Sequence, residues 1–393
     1  MNRGRMTFFF VSAALVVTLL SGTLLGAVTK DEPTGEDSLY KYLSVFTEVL
    51  SLIRQAYVDS PEIGELMLGA LDGTTDALDP FSMYVPPGQV EAYLAASATV
   101  EQLTGLTILK ERGVAYAVSV APGSPAEDAG LRMNDLISKV NGELTRELPL
   151  WKVQQMLGGE AGSQVEVEVI RRGDTHALTI ALEAFETAPV EFAEQDGEQI
   201  VRIFSPQAAA EAPLRDFLEN FEGDRLLVDL RRSAGGDANV AYRLADLFAR
   251  GELGKLVRKD EDLVSFAGRD EVVWQGRMVV LVSRGTLGPS EILATVLRQK
   301  AGAELVGDRT FGWAGQRDSS ALASGGSLFY TSAFYTGPDG EPLSSSLEPD
   351  VRVRPGTAGF SAGETDFEDL ILQRGIERLK DDEPLESTEQ KAA

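Results

Sequence analysis

Three consecutive pieces decide the fold: Met278-Val279-Val280-Leu281-Val282, then Pro289 through Lys300 (PSEILATVLRQK), then Ala303-Glu304-Leu305-Val306. The first is an apolar run without alternation, which reads as a strand covered on both faces. The second carries Pro in its first turn and apolar residues at helical spacing. The third, after Gly302, is another short apolar run. A strand–helix–strand unit of this kind predicts two parallel strands joined by a right-handed crossover. The same alternation extends outward, with strands at 200–204 and 225–230 and helices at 208–221 and 238–250. Strands follow at 327–335 and 351–353, and a last helix at 367–380. The expectation is a mixed α/β core over 187–360 with a mostly parallel sheet and flanking helices. Ligands on such sheets sit at the loops beyond the strand C-termini, here 231–237, 283–289 and 307–315.

Upstream the pattern changes. Between 99 and 186 short apolar or alternating strands (115–120, 136–140, 165–170, 177–182) are bounded by Gly, Pro, Asn and Asp. Ser124-Pro125 opens a short helix with an N-cap serine, and a second short helix covers 150–157. Residues 30–98 read as a small helical segment, with helices at 37–57, 63–78 and 87–96. Residues 361–393 hold the last helix and an acidic tail. Met6 to Thr29 is uncharged and mostly apolar, with Arg3 and Arg5 before it. At about 1.5 Å per residue it is long enough for a bilayer core of about 30 Å. The arginines hold the N-terminus inside, so residues 1–29 are expected to anchor the chain in the inner membrane, with the globular part in the periplasm or outside the cell. A cleaved signal peptide is the competing reading.

Composition excludes several function classes. The net charge of −25 repels nucleic-acid backbones. With no cysteine there is no disulfide, thiolate metal site or Cys nucleophile. The lone His176, just past the Arg172-Gly173-Asp174 tip, leaves little room for a Ser-His-Asp triad and reads as inert in a solvated turn. No cofactor or metal site is expected.

The run from Val118 through Pro122-Gly123-Ser124-Pro125 to Gly130-Leu131, then Asp135-Leu136-Ile137 and Val140-Asn141-Gly142, resembles a PDZ domain. In that family backbone N–H groups hold the C-terminal carboxylate of a peptide, and the resemblance places them at Gly105, Leu106, Thr107 and Ile108. A structural spacer with an unused groove is the alternative. The rest of the chain resembles the carboxyl-terminal processing peptidases, or tail-specific proteases. The likeness rests on Leu78-Asp79-Pro80-Phe81-Ser82, Asp229-Leu230-Arg231, Gly235-Gly236, Ser290-Glu291-Ile292, Thr310-Phe311-Gly312 and Glu348-Pro349-Asp350-Val351.

The resemblance implies a serine nucleophile two residues before Ser-Glu-Ile and a lysine base directly after Thr-Phe-Gly. Those positions hold Gly288 and Trp313. Neither a hydrogen atom nor an indole can do what a Ser–Lys dyad requires. Pro289 lacks the N–H that the residue after the nucleophile contributes to an oxyanion hole, although Gly235 and Gly236 remain. Arg317 replaces a family glutamine. The expected protein is therefore an exported pseudopeptidase that binds protein C-termini or unfolded segments as a scaffold or regulator. Its partner would be another envelope protein or an active relative. The alternative is a working serine-type peptidase with a relocated nucleophile, Ser290 or Thr286. Ser290 also suits helix capping, and Lys300, about 15 Å along the helix, is too far to be its base. Asp79 with Ser82, and Asp229 with Arg231, read as loop-holding pairs.

Overall fold

The computed structural model describes residues 35–111, 113–259, 261–353 and 367–381. The chain divides into two compact units, 1–67 and 68–393. The first contains α1 (Gly35–Ala56) and the start of α2 (Ile63–Asp76). On α1 the apolar side chains of Leu39, Tyr42, Leu43 and Val49 are exposed. No helix among the described residues is long and apolar enough to cross a membrane; the expected anchor at 6–29 lies outside them, as does the acidic tail beyond Asp381.

In the second unit β1 (Met83–Val85) and α3 (Val90–Thr104) lead into the middle domain. That domain comprises β2 (Leu106–Glu111), β3 (Val114–Val120), α4 (Pro125–Asp128), β4 (Leu136–Val140), β5 (Glu143–Leu144), α5 (Leu150–Leu157), β6 (Gln164–Arg171) and β7 (Asp174–Ala181). Its sheet is wholly antiparallel in the order β2-β3-β4-β6-β7, with β5 on β4, so β2 forms an edge. Ser124 caps α4 by accepting from the Glu127 amide at 3.3 Å, as its position before Pro125 predicts.

The core follows as β8 (Val190–Gln195), β9 (Glu198–Ile203), α6 (Ala208–Asn220), β10 (Arg225–Asp229), α7 (Ala238–Ala245), β11 (Glu252–Arg258), β12 (Glu261–Ala267), β13 (Arg277–Val282), α8 (Pro289–Lys300), β14 (Glu304–Gly307), β15 (Gly315–Ala321), β16 (Ser327–Tyr335), β17 (Val351–Arg352) and α9 (Phe367–Lys380). One six-stranded sheet runs β17-β14-β13-β10-β9-β8, parallel throughout except for the β8 edge. Its strands carry side chains into two cores. Leu226, Val228, Met278, Val280 and Val282 face α6, α7 and α8; Leu227, Val279 and Leu281 face Ile371, Leu372 and Ile376 of α9. That double cover explains the unbroken apolar runs.

A second sheet, β1-β16-β11-β12 with β15 also on β16, is antiparallel. The expectation of a mostly parallel sheet therefore holds for one sheet of three, and antiparallel pairing dominates the chain. Two local expectations also change. The helix after Asp237 ends at Ala245 instead of continuing to 250. His176 lies within β7 opposite Val169, and not in a turn.

Candidate active-site cleft

The turn between β13 and α8 is stitched to the loop after β10. Thr286 donates its hydroxyl to the Leu230 carbonyl at 2.7 Å and accepts from the Ser283 amide at 3.1 Å. Ser283 donates its hydroxyl to the Arg231 carbonyl at 2.7 Å, and the Leu287 amide reaches the Ser233 carbonyl at 3.0 Å. The turn ends at Gly288, the N-cap of α8, with φ 64° and ψ −115°. Sharp strand-to-helix turns of this strained kind present nucleophiles in other folds. Here glycine relieves the strain and presents nothing. A Cβ at 288 would meet only the Trp313 carbonyl oxygen, 3.7 Å away.

Glu291, at the third position of α8, is 1% exposed and accepts four hydrogen bonds. Its Oε2 takes the amides of Gly288 and Trp313, each at 2.9 Å. Its Oε1 takes the Gly312 amide at 2.6 Å and the Thr310 hydroxyl at 2.5 Å. Burial pushes the carboxyl up to about 7, while Thr310 and the three amides pull it down. One side chain thus fixes the α8 N-terminus against the loop after β14, and it brings positions 288 and 313 together as the sequence register anticipates.

These residues border a cavity of about 490 Å3 lined by Gly235, Gly236, Gly288, Pro289, Trp313 and Arg317. Across from them the same cavity is lined by Thr107 and Ile108 of β2 and by Leu150 and Gln154 of α5. The free edge of β2 therefore opens into the core's cleft. Trp313 packs against Phe334 with ring centroids 5.0 Å apart and against Phe81 at 6.3 Å, and its indole N–H donates to the Thr331 hydroxyl at 3.1 Å. The Arg317 guanidinium lies 5.7 Å from the Phe81 ring centre. Among the described residues no lysine or histidine lines this cavity.

The two substitute nucleophiles are committed elsewhere. Ser290 is fully buried and shares a 2.6 Å hydrogen bond with the Ser233 hydroxyl. Gly288, and not Ser290, caps the helix. Thr286 is fully buried and bonded as described above. Two of the four expected carboxylate-binding amides are also spent: Gly105 donates to the Glu101 carbonyl at 2.9 Å and Leu106 to the Thr104 hydroxyl at 3.1 Å. The loop-holding pairs are in place. Asp79 accepts from the amides of Phe81 and Ser82 and from the Ser82 hydroxyl, and Asp229 grips the Arg231 guanidinium through both carboxylate oxygens.

Sequence reasoning missed the roles of Glu291, Glu101, Phe81 and Gln154. Glu291 had a signal, since an acid three residues past a helix N-cap pairs with the cap's own amide. The others are set by tertiary placement alone. Among the described residues no cluster of three or more acidic or histidine side chains is arranged to hold a metal ion.

Residues 199–353 match the model of peptidase family S41, and residues 116–171 match a PDZ domain model. A carboxy-terminal-processing protease of Bartonella bacilliformis is 25% identical over 362 residues, covering 89% of this chain and 82% of the relative. A probable CtpA-like serine protease of Staphylococcus aureus is 24% identical over 356 residues, covering 86% of this chain and 72% of the relative. Among solved structures, a photosystem II D1 C-terminal processing protease superposes with a TM-score of 0.63 at 26% identity, covering 78% of this chain and 86% of its own.

Proposed function

From the premise that this chain carries a peptidase family S41 domain preceded by a PDZ domain, we propose that it captures extended polypeptide in the cleft without cutting it. One observation carries the reading: the two positions that share Glu291 Oε2 are Gly288 and Trp313, so neither offers a hydroxyl or an amine. Without a nucleophile no acyl-enzyme forms, and Pro289 at the helix start offers no N–H to an oxyanion. Binding needs none of these groups. The open edge of β2 accepts an added strand, and the rings of Phe81 and Trp313 offer an apolar wall. The relocated-nucleophile alternative finds no support in the burial of Ser290 and Thr286.

In this reading residues 6–29 anchor the protein in the membrane with its globular part outside the cytoplasm, and it scaffolds or regulates another envelope protein, including an active relative. The test incubates the full-length chain with fluorescein-labelled unfolded casein. Binding without new fragments is expected; cleavage that disappears in Ser290→Ala or Thr286→Val overturns the reading. Protease accessibility in intact and permeabilised cells tests the orientation.

A further inference from the structure

We propose that Arg317 reads the terminal carboxylate of the captured chain, so that this core residue, rather than the amides at the start of β2, selects free C-termini. The proposal rests on the polypeptide-binding reading above and adds to it a specificity-determining residue.

The start of β2 is a poor place for an anion here. The amides of Gly105 and Leu106 are already bonded within the protein. The chain enters β2 directly from the C-terminal end of α3, with Gly105 as its left-handed cap. That end of a helix carries partial negative charge. Glu101, in the last turn of α3, adds a full carboxylate that lines the same space. A carboxylate is accepted in such surroundings only if a cation meets it.

Among the described residues two cations border this region: Arg232, which lines the space beside Gly105, Glu101 and Thr107 but is already paired with Glu127 at 2.6 Å, and Arg317. The cleft continues into a second cavity of about 580 Å3, and the two share Phe81, Glu101, Thr107, Gln154 and Arg317. Among the described residues Arg317 is the only lysine or arginine lining either. A β-bulge between Gln316 and Arg317 breaks the β15–β16 register, and bulges re-aim the side chains beside them. The guanidinium rests on the Phe81 ring and makes no hydrogen bond or ion pair among the described residues. Its field reaches Glu101, whose carboxyl is raised by burial and pulled down by Arg317. Its forked donors are free for a carboxylate in two-point contact.

A second feature points to the same ligand. Gln154 Oε1, on the α5 side of both cavities, is buried and has no hydrogen-bond partner among the described residues. An unpaired buried acceptor is costly, and a main-chain N–H of a strand lying along β2 would satisfy it. The last side chain of that strand would lie against Phe81 and Trp313, which favours an apolar terminal residue.

The experiment measures fluorescence anisotropy of a labelled decapeptide ending in Phe, as free acid and as C-terminal amide, with the full-length chain. The acid is expected to bind at least about tenfold tighter. The ratio should shrink as salt rises, fall to near one in Arg317→Gln and persist in Arg317→Lys. Equal binding of acid and amide to the native chain, or a ratio that survives Arg317→Gln, overturns the assignment to Arg317 while leaving capture intact. Failure of both peptides to bind overturns capture itself, and the assignment with it.

Discussion

Gly288 and Trp313 donate their backbone N–H groups to the same oxygen, Glu291 Oε2, at 2.9 Å each. The residues at the two expected dyad positions are thus held by one buried acid, through main-chain atoms that do not depend on their side chains.

Glu291→Gln is expected to cost roughly 2–5 kcal/mol, because an amide group in place of one carboxylate oxygen turns a donor toward buried N–H groups and leaves them unpaired. Urea unfolding of the variant measures this. A loss below about 1 kcal/mol would show that the four hydrogen bonds do not hold the turn.

The same carboxyl makes stability depend on pH. Its folded-state value of about 7 lies above its ordinary value of 4.5, so the folded protein binds the proton more tightly than the unfolded chain does. This contribution is complete below about pH 4.5, declines as pH rises toward 7, and is constant above that. Midpoints of urea denaturation across pH 4–8 should fall over this window in the native chain, with the Glu291 component absent from Glu291→Gln.

Gly288→Ser has room for its Cβ, whose nearest neighbour would be a carbonyl oxygen at 3.7 Å. The positive φ of 64° is unfavourable for it nonetheless. The expected loss is about 1–3 kcal/mol, read as a lower melting temperature. Combined with Trp313→Lys, it puts a hydroxyl and an amine at the two positions, while Pro289 still offers no N–H. Labelling by a fluorophosphonate is therefore expected to be slower in this double variant than in one also carrying Pro289→Ala, by about 10²–10³.

Of the three tryptophans, Trp151 and Trp274 are buried, whereas Trp313 lines the cleft. Peptide capture is expected to change the emission of Trp313 alone. Titrating the Phe-terminated decapeptide against Trp313→Phe should then show binding by anisotropy with no intrinsic fluorescence change. A persisting change would place the ligand elsewhere.

Much of this arrangement is written locally. The apolar runs of β10 and β13, the Pro at the start of α8 and the spacing from Gly288 to Trp313 all follow from neighbours in sequence, and they locate the turn and what it lacks. Other elements take their form from distant partners. β15 reads Gly-Gln-Arg-Asp-Ser-Ser-Ala, with no apolar alternation, and is a strand because β16 templates it along its whole length. β1 and β2 fail to announce themselves for a related reason: each is short, lies at an edge, and continues directly from a loop or a helix cap. The parallel sheet is legible because its crossovers show as helices between strands, whereas the antiparallel sheet joins β11 to β16, which lie far apart in the chain. Arg317 could be named as a departure from a family pattern, but its place beside Phe81 with no ion pair among the described residues is a property of the folded cleft.

Because Glu291 holds the turn through main-chain N–H groups, a side chain added at residue 288 would incur the strain of the positive φ but leave those hydrogen bonds in place. The site behaves as a socket: a cysteine, a selenocysteine or an alkyne-bearing amino acid installed there would be displayed at the mouth of a preformed trench, with the surrounding architecture already set to hold a polypeptide against it.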